Sequence, residues 1–240
     1  MNTNSAAPEP GWPGATPGHV VVVASGGLDS TTLAYWIASQ GTRLTLLAVD
    51  YGQRHARELQ AAAQTAAALR ADWHVADLRP VGQLLGGSAL TSDAVDVPDG
   101  HYADETMKAT VVPNRNALLL DLGVALAITA GAQAVAYGAH AGDHFIYPDC
   151  RPGFVTAYQQ MAIVANEGFL PDGFTVAAPF ITMTKADIAA LAGRLDVPIG
   201  QTWSCYRGGD LHCGTCGTCT ERREALALAD VPDPTEYAAR

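Results

Sequence analysis

The chain is short of basic residues, of charge altogether and of long apolar runs, and each shortage removes a class of function. Lysine and arginine number 14 against 24 acidic residues, a formal net charge of −10 over 240 residues. A generic nucleic-acid surface is basic, so direct nucleic-acid binding is not expected outside a local pocket. Charged residues make up 16% and hydrophobic ones 48%, which describes a globular chain with a sizeable core and not a disordered one. The longest helix-like apolar stretch, 117–130, is interrupted by Asp121. It is too short to span a bilayer and reads as a buried helix, so no membrane partner is expected. Residues 1–18 are rich in Pro, Gly and Ala, with neither a basic start nor an apolar centre. They read as a disordered tail and not as a secretory signal. Cysteine is scarce as well. Four of the five cysteines sit near one end in a metal-type spacing, which fits a reducing cytoplasm better than a disulfide scaffold.

Two phosphate-binding motifs are also absent. There is no G-x-x-x-x-G-K-[ST] and no G-x-G-x-x-G, which excludes a Walker-type loop and the dinucleotide fingerprint. What is present is Ser25-Gly26-Gly27-Leu28-Asp29-Ser30, directly after the apolar run Val20 to Ala24. It reads as a buried strand, a glycine turn and a helix with Leu33, Ala34, Ile37 and Ala38 on one side. Such a turn aims backbone N–H groups and a helix N-terminus at one spot, a ready anion site. Gly26 and Gly27 permit positive φ and close approach to a phosphate, while Ser25, Ser30, Thr31 and Thr32 add hydroxyl donors. The plainer alternative is a strand-to-helix turn whose serines cap the helix. Asp29 reads either as a helix-start carboxylate or as a ligand for the metal that accompanies ATP.

The remaining elements alternate. Leu44 to Val49 is a second buried strand, followed by Asp50 to His55 and an alanine-rich helix to about Leu69. Trp73 to Ala76 is a weaker third strand, and residues 80–112 read mostly as loop. Asn114 or Asn116 caps the next helix, whose buried face is marked by Leu118, Leu122 and Leu126. A fourth strand spans Ala134 to Tyr137 and ends in Gly138-Ala139-His140. A helix near Val155 to Asn166 follows, then a short strand around Val176. Thr184-x-x-Asp187 is a capping-box start for a helix carrying Ile188, Leu191 and Leu195. This order predicts an α/β, Rossmann-like fold with a mainly parallel sheet. The expected division is 1–18 tail, 19–200 α/β domain, and 201–240 cysteine knuckle with a C-terminal helix. Ligands of such sheets sit beyond the carboxyl ends of the strands, where the Ser25–Ser30 loop, Asp50 to His55 and Gly138 onward are expected to converge.

Cys205, Cys213, Cys216 and Cys219 form a C-x7-C-x2-C-x2-C array with glycines at 208, 209, 214 and 217. Four thiolates with no open position describe a structural zinc site, and Arg207, Arg222 and Arg223 are placed to offset its negative charge. His212 is an alternative ligand for which four sulfurs leave no vacancy. Redox or sulfur-transfer chemistry by a C-x-x-C pair is the other reading of these cysteines.

The hexapeptide resembles the SGGxDS loop of the PP-loop ATP pyrophosphatases, which grip the pyrophosphate of ATP and transfer AMP to a substrate oxygen. Further motifs narrow the resemblance: Asp50-Tyr51-Gly52-Gln53-Arg54-His55, Val112-Pro113-Asn114-Arg115-Asn116, Tyr147-Pro148-Asp149-Cys150-Arg151 and Thr202-Trp203-Ser204-Cys205-Tyr206. In order around the loop and the cysteines, they are similar to the 7-cyano-7-deazaguanine synthases, a branch of that superfamily, from about Val20 to the cysteine helix. The family usually carries glycine where this chain has Asn114, and often glutamine where it has Leu28. Asn accepts left-handed backbone better than most residues. The resemblance implies an adenine-nucleotide hydrolase-like fold and conversion of 7-carboxy-7-deazaguanine and ammonia to a nitrile at the expense of ATP. It implies that Ala24 to Ala34 hold ATP, with Mg(2+), that the four cysteines hold zinc, and that the enzyme is a homodimer.

Other assignments rest on residue chemistry. Ser25, Asp29, Ser30 and Arg115 are the candidate catalytic groups. Arg115 and Arg54 offer guanidinium forks for phosphate or carboxylate, Arg54 reading equally well as a solvated helix start. Asp143, Tyr147, Asp149 and Arg151 are candidates to read the deazaguanine edge, Asp149 alternatively capping the helix after Pro152. Cys150 reads as a buried structural thiol. His55, His140 and His144 are candidates for proton transfer or for packing, and Lys108 and Lys185 for phosphate contact or solvation. The rival functions are another PP-loop ligase, a tRNA-sulfurating enzyme, and a non-catalytic zinc-knuckle binding module.

Overall fold

The computed structural model describes residues 8–53, 56–82, 84, 87–91, 94–100 and 107–238. Apolar runs rich in valine and leucine form the strands β1 (His19–Val23) and β2 (Arg43–Asp50), with shorter β4 (Ala134–Ala136) and β5 (Thr175–Ala177). The edge strand β3 (Asp72–Asp77) is largely exposed. All pairings are parallel, in the order β3-β2-β1-β4-β5. The chain winds outward from β1 to β3 and then returns to place β4 on the other side of β1. That reversal opens a crevice at the carboxyl ends of β1 and β4, where open α/β sheets bind ligands.

Among the described residues, six helices of ten residues or more flank the sheet or pack on its outer layer: α1 (Leu28–Ser39), α2 (Ala56–Leu69), α3 (Arg115–Ala130), α4 (Pro152–Ala165), α5 (Lys185–Arg194) and α6 (Gly217–Leu228), the last packed on α5. Strand side chains alternate between the faces. Val20 and Val22 pack with Leu33, Ile37, Ile188 and Leu191 on one side, while Val21 and Val135 pack with Leu120, Val124 and Tyr158 on the other. The predicted box at α5 is present, with Thr184 Oγ1 accepting from Asp187 N (3.2 Å) and Asp187 Oδ2 accepting from Thr184 N (2.8 Å).

The face of α3 differs from expectation. Leu118, Leu122 and Leu126 are only half-buried, and the buried residues are Asn116, Leu120, Gly123, Val124 and Ala127. The helix is apolar nearly all round, so periodicity alone sets no phase. Size sets it instead: a methyl group at Gly123 would lie 2.9 Å from Val135 Cγ1, so the small residues face the sheet and let the helix approach. Segment 108–130 is long and apolar enough to cross a membrane by composition. It breaks at Asn114, where the backbone is left-handed with φ 60°, and α3 lies against β1 and β4. The left-handed tolerance expected of Asn114 is therefore used.

Residues 8–18 are irregular yet anchored. Trp12 stacks on Trp36 with ring centres 5.5 Å apart, Glu9 pairs with Arg194 at 3.0 Å, and Pro17 O accepts from Thr42 Oγ1 at 2.9 Å. Within 80–112, the described part is tied to the cysteine region. Asp99 bridges Cys216, and Arg207 bonds Val97 O (3.2 Å) and pairs with Asp99 (2.8 Å).

Gly123→Val forces α3 off the sheet and is expected to cost about 1–3 kcal/mol, the usual range for overpacking. Urea unfolding measures it; a midpoint equal to the parent's would show that the helix–sheet gap opens freely.

Candidate active site and metal centre

The carboxyl ends of β1, β2 and β4 surround one cavity, lined by the Ser25–Ser30 loop, Tyr51 and Gln53, and Tyr137 to Ala139. The three segments expected to converge do so, as far as they are described; Arg54 and His55 lie outside the described residues. The loop is held in shape by its own hydroxyls. Ser25 Oγ lies 3.1 Å from Ser30 Oγ and accepts from Gly27 N at 3.3 Å, while Ser30 Oγ accepts from Ser25 N at 3.2 Å. The N-cap of α1 is Gly27, which makes no side-chain cap bond, so the first-turn N–H groups keep the character of an anion site.

Of the residues expected to hold ATP, Ala24, Ser25, Gly27, Leu28, Asp29 and Ser30 line the cavity. Thr31, Thr32, Leu33 and Ala34 turn into the protein as α1 proceeds. Thr32 Oγ1 donates to Leu28 O at 2.7 Å, and Thr31 faces Thr65 of α2. The glycines also divide their work. Only Gly26 has positive φ, at 79°; Gly27 is extended at −74°. A methyl group at Gly26 would collide with the Glu58 carbonyl and lie 2.8 Å from Ala62 N. Gly26 thus admits α2 against the loop.

Asp29 anchors a partly buried charged cluster. Its Oδ2 meets Lys185 Nζ at 2.6 Å and stands 3.8 Å from His140 Nε2. Lys185 is also 3.5 Å from Glu221, and His140 Nε2 is 3.6 Å from Asp143. His140 Nδ1 accepts from Gly142 N at 3.1 Å, which puts the ring proton on Nε2, facing both carboxylates. Burial works to raise the Asp29 carboxyl, but Lys185 and His140 outweigh it and hold it below the usual range. Burial likewise opposes the Lys185 ammonium, which Asp29 and Glu221 keep charged. Three carboxylates face one lysine here, and among the described residues Asp29 Oδ1 is buried with no hydrogen-bond partner.

Arg115, the first residue of α3, occupies another wall of the cavity. Burial opposes its charge; Tyr51, Tyr206 and Tyr147 surround it, and it shares a side-chain hydrogen bond with Tyr51. Glu58, from the first turn of α2, lines the same cavity. Burial lifts its carboxyl to about 7 against the opposing pull of Arg115. Of the four candidates for the deazaguanine edge, Asp143 and Tyr147 line the cavity. Asp149 accepts from Asn116 N at 3.2 Å and so closes the N-terminus of α3, since Asn114 makes no cap bond. Arg151 is exposed and donates to His144 O at 2.7 Å. Cys150 accepts from Asn116 Nδ2 at 3.3 Å, and burial pushes its thiol well up, as suits a structural group. Lys108 is exposed, and His144 does not line the cavity.

The four cysteines converge, with every Sγ within 4.8 Å of the others. Cys213 and Cys219 sulfurs are 3.9 Å apart, close to the roughly 3.8 Å edge of a tetrahedron with metal–sulfur bonds of about 2.3 Å. Backbone N–H groups of Cys213, Thr215 and Cys216 point at sulfurs at 3.3–3.5 Å, a setting that favours thiolates. The cluster fits a metal site of the zinc-knuckle kind. His212 is outside it: its Nε2 accepts from Ser204 N at 3.1 Å, and burial lowers its pKa to about 4. Of the three expected arginines, Arg207 lies near the sulfurs of Cys213 and Cys216. Arg223 instead stacks over Tyr237. Arg222 is fully buried, bonding Thr202 Oγ1 (2.7 Å), Ser204 Oγ (3.1 Å) and Ile199 O (2.7 Å).

Residues 19–230 match the model of a protein family described as queuosine biosynthesis protein QueC. The chain belongs to that family. Among curated relatives, the 7-cyano-7-deazaguanine synthase of Paracoccus denitrificans (strain Pd 1222) is 55% identical over 217 residues, 90% of this chain and 92% of that one. The enzyme of the same name from Rhizobium meliloti (strain 1021) is 55% identical over 90% of this chain and 91% of its own. An NMN synthetase structure from Francisella tularensis aligns over 92% of this chain and 79% of that one, with 15% identity and a TM-score of 0.48. As a QueC family member the chain is an enzyme of the PP-loop, ATP-using ligase type.

For this family member the sequence reading underrated Lys185 and passed over Glu58 and Glu221. Lys185 carried a signal, being one of only two lysines in the chain and opening a capped helix. Glu58 carried none, because an acid in a first helical turn reads as a partner of the helix dipole.

Cys213→Ser opens the sulfur cluster and is expected to lose bound metal and lower the urea midpoint. Elemental analysis of the purified variant checks it. Full metal content with parental stability would mean that Cys213 is not a ligand.

Proposed function

We propose that this chain converts 7-carboxy-7-deazaguanine, ammonia and ATP into 7-cyano-7-deazaguanine through adenylated carboxylate and amide intermediates. The observation that carries this reading is the shared cavity. A helix-start anion loop and the half-buried guanidinium of Arg115 open on the same space at the switch point of the sheet. The names of relatives 55% identical over 90% of the chain agree with it.

A carboxylate is a poor acyl donor, and adenylation supplies the leaving group. In this reading Ser25, Ser30 and the backbone at Gly27 to Asp29 hold the phosphates, and Lys185 leaves its pair with Asp29 to meet them. Arg115 receives the substrate carboxylate through its planar fork, while Asp143 and Tyr147 face the deazaguanine ring. The protein's contribution is alignment and charge stabilisation as the α-phosphorus is attacked. Asp29, whose Oδ1 has no hydrogen-bond partner among the described residues, and Asp143 and Glu221 nearby form a donor set suited to magnesium, which would neutralise phosphate charge. The four cysteines would hold zinc structurally. Ammonia then displaces AMP to give the amide, and a second adenylation leads to the nitrile. A cytoplasmic homodimer completes the reading.

Mass spectrometry of the protein incubated with ATP, magnesium, ammonium and 7-carboxy-7-deazaguanine tests the reaction. Nitrile with AMP release is the expected result; AMP without nitrile would move the substrate elsewhere, and no AMP would remove the adenylation reading. Ser25→Ala is expected to slow substrate-dependent ATP–pyrophosphate exchange about 100-fold, as loss of one positioned donor does, with little change in stability. Exchange at the parental rate would take the loop out of the reaction.

A further inference from the structure

The amide-forming step makes a demand that the groups assigned so far do not meet. When ammonia adds to the acyl-adenylate, its nitrogen becomes positive and must lose a proton. A base is required inside the cavity, near the loop where the adenylate forms.

The carboxylates of the cavity differ in their fitness for this. Asp29 is ion-paired with Lys185 at 2.6 Å and held ionised well below neutrality. Glu221 faces the same lysine at 3.5 Å, and Asp143 faces His140 at 3.6 Å. Glu58 stands apart from that cluster. It comes from α2, whose first turn abuts the loop so closely that Gly26 has no room for a methyl group beside the Glu58 carbonyl. Its side chain lines the same cavity as Ser25, Ser30 and Arg115.

We propose that Glu58 is the catalytic base that takes the proton from the attacking nitrogen during amide formation. This rests on the function proposed above. In the step, the ammonia lone pair forms the C–N bond, and the C–O bond to AMP breaks with its electron pair leaving on the phosphate. One N–H proton passes to the Glu58 carboxylate. Neutral amide, AMP dianion and protonated Glu58 balance the ammonia, adenylate monoanion and glutamate consumed.

The surroundings of Glu58 suit the task. Arg115 from α3 faces it and favours the carboxylate, and Tyr51 at the end of β2 lies alongside. Tyr147 and Tyr206 line the same cavity near Arg115. Burial opposes the charge more strongly than Arg115 supports it, so the carboxyl titrates at about 7. A base poised near the working pH is the favourable case for proton transfer. Below that pH Glu58 is protonated and idle, so amide formation rises with pH through it.

The experiment compares two half-reactions of the full-length, metal-loaded enzyme from pH 6 to 9. One is ATP–pyrophosphate exchange dependent on 7-carboxy-7-deazaguanine; the other is amide formation at a fixed concentration of free ammonia. In the parent enzyme, amide formation is expected to show an inflection near 7 that exchange lacks. In Glu58→Gln, exchange is expected to stay within about twofold of the parent while amide formation falls at least about 100-fold and loses the inflection. Glu58→Asp is expected to recover part of the rate together with the inflection. Equal loss of exchange and amide formation would make Glu58 a substrate-holding residue and overturn the proposal. So would an undiminished amide rate, or, if the variants fail to fold, a parent profile with no inflection in amide formation alone. Absence of exchange in the parent would instead remove the adenylation reading, a result separate from either.

Discussion

Everything at the site depends on the close passage of two chain segments at the β1–β4 crevice. A methyl group at Gly138 would stand 3.3 Å from both Asp29 Cβ and Ser30 N, so the turn after β4 lies almost in contact with the start of α1. That contact exists because β4 returns to pair with β1 after two strands have been laid on its other side. It brings the segment from Tyr137 to Tyr147 against the loop, and with it His140 and Asp143. Without the reversal of strand order the loop would be an isolated helix start, and Asp143 and Tyr147 would not share a cavity with it.

The second consequence is a partly buried cluster of charge. Drawing Asp29, Lys185 and Glu221 out of water costs free energy that their pairing must offset. Such a cluster is therefore poor evidence of stability. Its arrangement makes sense as preorganisation: the lysine is held ready by a carboxylate whose second oxygen has no hydrogen-bond partner among the described residues. Glu58 and Arg115, across the cavity, remain apart from this cluster because they enter from different helices.

The cysteine region does more than close the C-terminal end. Trp203 N donates to Gly26 O at 2.9 Å, and Arg57 stacks over the Trp203 ring. Two residues on, Cys205 enters the sulfur cluster, and Arg222 ties Ile199, Thr202 and Ser204 to α6. The segment that carries Cys205 into the sulfur cluster is therefore the one that bonds the loop at Gly26.

The sequence by itself determined the alternation of elements, the parallel α/β class, the loop, the cysteine array and the motifs that mark the family. Each of these is written locally, in apolar runs, glycine and cap positions, or fixed spacings. It also carried the box at Thr184 and the tolerance of Asn114 for the left-handed backbone it adopts, which depend on one or two residues. Only the tertiary structure decided the phase of α3, since an all-apolar helix is oriented by the room Gly123 leaves and not by its period. It also separated Asp143 and Tyr147, in the cavity, from Asp149, which closes a helix end, and Arg151, which stays at the surface. Charge chemistry was the least legible of all. Whether Lys185 is solvated or paired, and whether Glu58 titrates near neutrality, depends on burial and on neighbours more than a hundred or about sixty positions away. No local pattern carries that information.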